Sequence, residues 1–385
     1  MPIISKNPDI AVAGAGIAGL AASLCLAKSG FSSTIYEQAE SFHEIGAGIQ
    51  LSPNAMHVLA RIGLDEHVMA QAIEPEAIDI RDGPSGALLT SIPLHRECWK
   101  RYGAPYLVVH RADLMQVLLS AAHAEPLVDI RTAAPISEVQ PASERIAFSA
   151  GGEPTEADML LAADGVHSKV REAISGLAAE HLGKLAWRAT LSGPDYNDIV
   201  TASRTGLWLG RGAHLVHYPL RASRDLNLVL IGDAEAESPH YLLDHFDAHI
   251  RRLAAPAKWA PWPLLQVDPA GRWATGRAAL IGDAAHAMLP TAAQGGAQAI
   301  EDAFVLARCL KARLADDLDP APALADWERI RKPRVQRIAR EATRNLQIYS
   351  MGSVAAAARN LAIRMIPGER HLGRFDWLYG WKPED

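Results

Sequence analysis

Gly14-Ala-Gly16-Ile-Ala-Gly19 has a spacing with chemical use. In such a turn the first glycine allows a tight bend, the second lets backbone close on a pyrophosphate, and the third lets a helix pack against a strand. Unpaired N–H groups at the helix start then meet the phosphate charge. Glu37 follows eighteen residues after Gly19, near the position at which an acid takes a ribose hydroxyl pair. Gly14, Gly16, Ala18 and Gly19, with Glu37 and its neighbour Gln38, are therefore the expected contacts of a dinucleotide. They do not say which one.

A second constellation lies far downstream. Ala278 to Asp302 reads AALIGDAAHAMLPTAAQGGAQAIED: a strand, a Gly282-Asp283 turn, small residues, Pro290, then Gly295-Gly296 opening a helix. A carboxylate at such a strand end can accept hydrogen bonds from a polyol such as a ribityl chain. A helix start with N–H donors suits the anionic pyrimidine edge of a reduced flavin. LIGDA also occurs at Leu230 to Ala234, but EAESPH follows it and no glycine-led helix does, so that copy reads as a strand-end turn. His286, set among alanines, reads as a packing histidine.

The third constellation is His214-Leu-Val-His217-Tyr218. In a strand His214, Val216 and Tyr218 share one face, while His217 shares the other with Leu215. Other candidates fall away. His245 and His249 stand four apart but lack the Glu of H-E-x-x-H and an evident third ligand, and His43-Glu44 fails the same motif because position 47 is Ala. No metal site is expected. The chain also lacks a G-x-S-x-G elbow and a Walker-type phosphate loop.

The elements that must position these residues begin with a short buried strand at residues 9–13, a helix from Ile17 to Ser29 ending at Gly30, and a strand at residues 33–37. Such a βαβ unit implies a parallel sheet. Further buried strands are expected at residues 106–110, 158–163 and 278–281. Residues 181–270 change texture to tryptophan, proline and alternating stretches such as LNLVLI, which suggests a separate antiparallel sheet. A long helix is expected from Gly295 to Leu314, and residues 325–366 read as helical. The closing FDWLYGW, Phe375 to Trp381, reads as a tail packed on the body.

Composition narrows the class. At 49% hydrophobic and 21% charged the chain is an ordinary globular one, and its length predicts two to three domains. Asp and Glu number 44 against 38 Lys and Arg, the wrong sign for binding nucleic acid by counterion release. Three scattered cysteines without C-x-x-C indicate neither a disulfide framework nor a thiolate zinc site, which fits a reducing, cytoplasmic setting. Ile10 to Ala27 is uncharged over 18 residues, but its crowded glycines exclude a membrane span or a signal peptide.

Taken together, the chain resembles the single-component FAD-dependent aromatic hydroxylases, the family of p-hydroxybenzoate, salicylate and 6-hydroxynicotinate hydroxylases. The resemblance covers nearly the whole chain. It rests on the glycine turn with Glu37, HRADL at His110 to Leu114, Ala163-Asp164-Gly165 ahead of HSKVR, and GDAAHAMLP at Gly282 to Pro290. It implies bound FAD, a transient NAD(P)H co-substrate, O2, and oxygen transfer to an aromatic ring through a flavin 4a-hydroperoxide. The implied ring is that of a phenolic or hydroxy-heteroaromatic acid. The implied fold is α/β: a doubly wound, Rossmann-like FAD-binding domain (residues 1–75, 101–180 and 271–324), an interleaved antiparallel-sheet substrate domain (76–100 and 181–270), and a helical C-terminal segment (325–385).

By the same resemblance Glu37 binds the adenosine ribose, Arg111 the phosphate or ribityl region, Asp283 the ribityl chain, and the backbone of Gly296 and Ala297 the ring, with Gly295 a further cofactor contact at the helix start. Asp164 either serves the cofactor or is a turn or N-cap aspartate. His214 and Tyr218 line the substrate site as its catalytic pair, with Gln50, Tyr106, Pro290 and Thr291 around the substrate. A neutral imidazole there can accept a phenol proton and enrich the ring. Gln50 and Thr291 stand where the 6-hydroxynicotinate enzyme resembles histidine, which counts against a nicotinate substrate. Other chemistries compatible with this fold are epoxidation of a non-aromatic lipid or terpenoid, favoured by an apolar pocket without His214 and Tyr218 on its wall, and a flavin-binding sensor without turnover. A monomer or homodimer is expected.

Overall fold

The computed structural model describes residues 8–42, 48–140, 145–192, 200, 203–220, 225–313 and 319–384; the His43-Glu44 pair lies outside them. All four residues of the strand Ile10–Ala13 are buried, as befits the centre of a parallel sheet covered on both faces. Ser33–Tyr36 and then Val128–Arg131 lie on one side of it, Met159–Ala162 and then Ala278–Leu280 on the other, all parallel. Ala274–Thr275 closes the edge antiparallel. Chain order therefore reverses between Ile10–Ala13 and Met159–Ala162, and ligands of open α/β sheets bind in the crevice beyond the strand ends at such a point. The helix Ile17–Lys28 is buried nearly all round because it is sandwiched between this sheet and the helix Gly295–Arg313.

Seven strands form the second sheet. In order across it they are Ala260–Gln266, Glu180–Ser192, Asp225–Asp233, His214–Leu220, Arg204–Leu209, Ala77–Asp82 and Leu88–Pro93. The sheet is antiparallel apart from one pair, Arg204–Leu209 with Ala77–Asp82, which runs parallel. The hairpin of residues 77–93 thus joins the sheet built by residues 180–266. Leu107–His110 pairs antiparallel with Gly48–Leu51 and forms a small ribbon apart from the parallel sheet. Ile136–Gln140, Ile146–Ala150 and Glu153–Ala157 make a separate three-stranded meander.

The C-terminal part is helical, with Ala321–Tyr349, Ser353–Arg364, Gly368–Gly373 and Asp376–Tyr379. Its first helix runs through the division expected at 324/325, so the chain does not break there. A buried ionic network fastens that helix to the parallel-sheet body. Arg331, 1% exposed, donates to Glu301 at 2.6 Å and to Asp302 at 2.8 Å, and Arg334 donates to Glu301 at 2.7 Å. Burial alone would raise the pKa of both carboxyls, but the arginines, with His286 on Asp302, hold them below the usual range. No helix among the described residues is long and apolar enough to cross a membrane.

Candidate active site

The glycine turn is built on close approach. Gly14 has φ +94°, donates to the Tyr36 carbonyl at 2.8 Å, and would bring a Cβ to 2.8 Å from the Ala163 carbonyl. A Cβ on Gly19 would sit 2.0 Å from the Gly14 carbonyl, so the helix lies directly on the turn. Gly16 differs, because a Cβ there would meet nothing within 4 Å. It is the N-cap of Ile17–Lys28 and no side chain caps that helix, which leaves its first N–H groups for an anion. Ala18 packs towards the Gly282 turn, where a Cβ on Gly282 would fall 2.9 Å from its methyl.

Glu37 accepts hydrogen bonds from the Ala15 N–H at 2.8 Å and the Ala39 N–H at 2.9 Å. These bonds anchor the carboxylate beside the turn, with acceptor sites left for a ribose. Gln38, the next residue, is exposed. Asp164 lies across from Gly14 and accepts from the Lys169 N–H at 3.0 Å, at the start of the helix Lys169–Ser175, whose N-cap is Ser168. Its other oxygen is buried without a hydrogen-bond partner, and burial raises its pKa against those bonds. Asp164 is thus not the N-cap itself: one oxygen takes N–H groups of the first turn and the other is left for a ligand. Arg171 of HSKVR donates to the Ala284 carbonyl at 3.2 Å, which joins this motif to the Gly282-Asp283 turn. The turn, the open face at Gly16, the anchored acid and the unpaired Asp164 oxygen together fit the adenine-dinucleotide half of FAD.

Asp283, Gly295 and Gly296 border a cavity of about 320 Å³. Ala297, next on the same helix, is fully buried. The opposite wall is the seven-stranded sheet, from which His214, Val216 and Tyr218 project as strand alternation requires. His217 is on the other face, buried beside Trp208 and Gly206. Burial lowers the His214 pKa to about 3 and that of His217 to about 4, so both imidazoles are neutral near pH 7. Tyr218 lies under Gly48, where a Cβ would come 2.3 Å from its ring, and burial raises its pKa.

Gln50, Tyr106, Pro290, Thr291 and Arg111 also line this cavity. The Tyr106 hydroxyl donates to the Gln50 side-chain oxygen, while Thr291 donates its hydroxyl to the Ala342 carbonyl at 2.5 Å. The Thr291 proton is therefore spent on the C-terminal helix, leaving only its oxygen and methyl for a ligand. Arg111 opens the helix Arg111–Ala124 immediately after a strand. The second LIGDA copy stands apart, with Asp233 paired to Lys184 near the surface. His249 is held by Asp247 at 2.8 Å, and no group of three metal-ligating side chains occurs among the described residues. His286 is buried, bonded to Asp302 at 2.6 Å and packed on Trp273.

Arg188, Tyr349, Phe375 and Tyr379 are among the lining residues that the sequence did not reveal. The last two belong to the FDWLYGW tail, which packs on the body and in doing so closes the cavity. Arg188 obeys the same alternation as His214, but only the sheet's register reveals it. Arg188 faces Val229, and Val229 faces Val216.

The model of an FAD binding domain family matches residues 7–342. The chain is 34% identical to 3-hydroxybenzoate 6-hydroxylase 1 of Aquipseudomonas alcaligenes, covering 97% of each chain. It is 33% identical to 6-hydroxynicotinate 3-monooxygenase of Pseudomonas fluorescens, covering 88% of this chain and 92% of that one. In fold it is similar to Klebsiella pneumoniae HpxO complexed with FAD and uric acid, with a TM-score of 0.86 at 22% identity over 98% of this chain and 97% of the other. With the dinucleotide turn, the Asp283 strand end and the helix start at Gly295 on one side of a shared cavity, the chain belongs to the FAD-binding family, and within it to the FAD-dependent aromatic monooxygenases.

Proposed function

We propose that this enzyme uses NAD(P)H and O2 to hydroxylate the ring of a phenolic acid of the hydroxybenzoate type. One observation carries the reading: His214 and Tyr218 stand on the wall of the same cavity that Asp283, Gly295 and Gly296 border. An apolar wall without them would have suited epoxidation of a lipid or terpenoid. The 3-hydroxybenzoate enzyme covers the chain almost end to end, which supports the acid.

Bound FAD, once reduced, supplies the activated oxygen; the chain supplies position and electrostatics. Gly295 and Gly296 present backbone at a helix start, and Asp283 accepts from a polyol. The neutral His214 imidazole accepts a hydrogen bond from the substrate hydroxyl and draws electron density into the ring. Full proton transfer from a phenol to an imidazole of pKa about 3 is unfavourable in the unliganded site. An anionic substrate raises that pKa, because a nearby negative charge favours imidazolium. The Tyr106 and Gln50 pair and the tail residues Phe375 and Tyr379 exclude water, which protects reactive species from side reactions. A cytoplasmic setting accords with Cys25, Cys98 and Cys309 being buried free thiols, and we infer action as a monomer or homodimer.

The test is a panel of phenolic and pyridine acids, with NAD(P)H oxidation, peroxide and hydroxylated product measured together. The reading expects a phenolic acid to accelerate oxidation and to appear hydroxylated in near-stoichiometric yield. Acceleration by none, or product only from non-aromatic compounds, contradicts it.

A further inference from the structure

We propose that Arg188 is the carboxylate receptor of the substrate cavity, and so the residue that makes the enzyme select ring acids over neutral phenols. The inference rests on the aromatic-hydroxylase reading and names the part of the substrate recognised. Arg188 lies on the strand Glu180–Ser192 and lines the cavity. It stands opposite Val229, which stands opposite Val216 between His214 and Tyr218. Two strand spacings, about 10 Å, therefore separate its backbone from that of the His214 strand. A single aromatic ring with its substituents fits between the two side chains.

The charge balance points the same way. The Arg188 Nε is buried without a hydrogen-bond partner, and its guanidinium lies 5.6 Å from the Trp262 ring centroid. Its near neighbours Val216, Val229 and Ile231 offer no acceptor. Of the groups acting on it electrostatically, the Tyr218 phenol favours the cation and Arg111, of like sign, opposes it. Asp283, at the cofactor end, is the only carboxylate lining the cavity among the described residues. Burial lowers the Arg188 pKa, with Tyr218 opposing it and Arg111 adding to it. Arginine stays protonated in proteins, so among the described residues no carboxylate pairs with this cation. A planar carboxylate answers the guanidinium fork with two parallel hydrogen bonds. Once the acid is seated on Arg188, its ring extends towards His214.

Sodium benzoate and benzamide are ring-matched probes of this site that need no turnover. Their dissociation constants follow from perturbation of the flavin absorption of the holoenzyme, in wild type, Arg188→Gln and Arg188→Lys. The wild type is expected to bind benzoate at least tenfold tighter than benzamide. Arg188→Gln should weaken benzoate at least tenfold and change benzamide less than twofold, with Arg188→Lys intermediate. An equal loss for both probes, or a preference for benzoate that survives in Arg188→Gln, overturns the proposal. So does an altered flavin spectrum in unliganded Arg188→Gln with the preference intact, which would place Arg188 on the cofactor. Should Arg188→Gln fail to hold FAD, the wild-type preference and Arg188→Lys decide: no preference in the wild type, or an unchanged one in the lysine variant, overturns it. Hydroxylation of neutral phenols as readily as acids would sink this proposal and spare the aromatic reading, whereas absence of any ring hydroxylation would sink the reading and leave the benzoate comparison in force.

Discussion

The His214 ring meets Tyr349 edge-on, with centroids 5.2 Å apart and planes at 69°. One residue belongs to the seven-stranded sheet and the other ends the long C-terminal helix. The helix thereby packs against the imidazole that lines the cavity. It is held in turn by Arg331 and Arg334 on Glu301 and Asp302, carboxylates of the same helix that begins at Gly295. The helix that begins at Gly295, the His214 strand and the C-terminal helix are thus tied together.

Removing the imidazole should separate reduction from hydroxylation. In His214→Ala, NAD(P)H consumption is expected to continue while hydroxylated product falls at least tenfold, at or below the low end of general-base effects of about 10²-fold. Peroxide should rise as product falls. Product yield equal to wild type removes His214 from the chemistry.

The glycines of the dinucleotide turn should fail in different ways. Gly16→Ala has open space around the new methyl, so the chain should fold while FAD affinity falls about tenfold or more, equal to about 1.4 kcal/mol. Gly19→Ala places its methyl 2.0 Å from a backbone carbonyl and should prevent a folded holoenzyme. Flavin fluorescence titration with circular dichroism separates the cases. Gly16→Ala with wild-type affinity would show that no phosphate approaches there.

That turn was legible because its geometry is local: glycine spacing, strand and helix occupy one βαβ unit. Strand alternation likewise placed His214 and Tyr218 on one face and His217 on the other. The rest depends on long-range register. Nothing near Arg188 marks it as facing Val229, and nothing in FDWLYGW says that Phe375 and Tyr379 end over the cavity. The parallel pairing of Arg204–Leu209 with Ala77–Asp82 joins segments separated by more than a hundred residues, beyond the reach of local patterning. Thr291 shows the reverse failure, since its place on the wall was legible but the loss of its hydroxyl proton to Ala342 was not.

Breaking the buried network should cost more than any surface change. Arg331→Met takes from Glu301 and Asp302 the cation they share, leaving Arg334 on one and His286 on the other, and removal of one member of a buried pair costs about 3–5 kcal/mol. Chemical denaturation of the holoenzyme measures it. A loss below about 1 kcal/mol would mean that solvent or Arg334 compensates.

The buried histidines predict acid sensitivity. His217 has a folded pKa of about 4 against about 6.5 unfolded, so below pH 6.5 the unfolded chain binds a proton that the folded one refuses. Stability due to the neutral imidazole is full above pH 6.5 and lost as pH falls towards 4, at about 1.4 kcal/mol for each pH unit. Melting temperatures between pH 7.5 and 4.5 should fall less steeply in His217→Gln than in wild type. Parallel curves would show that the His217 pKa is the same in the folded and unfolded chain.

The most direct test of the central claim, that one cavity joins cofactor and phenolic acid, is the flavin difference spectrum of the purified yellow holoenzyme titrated with 3-hydroxybenzoate. The account predicts a saturable perturbation of the flavin bands, greatly weakened when His214 and Tyr218 are replaced by Ala and Phe. A protein that stays colourless in excess FAD, or a flavin spectrum indifferent to every phenolic acid, would contradict it.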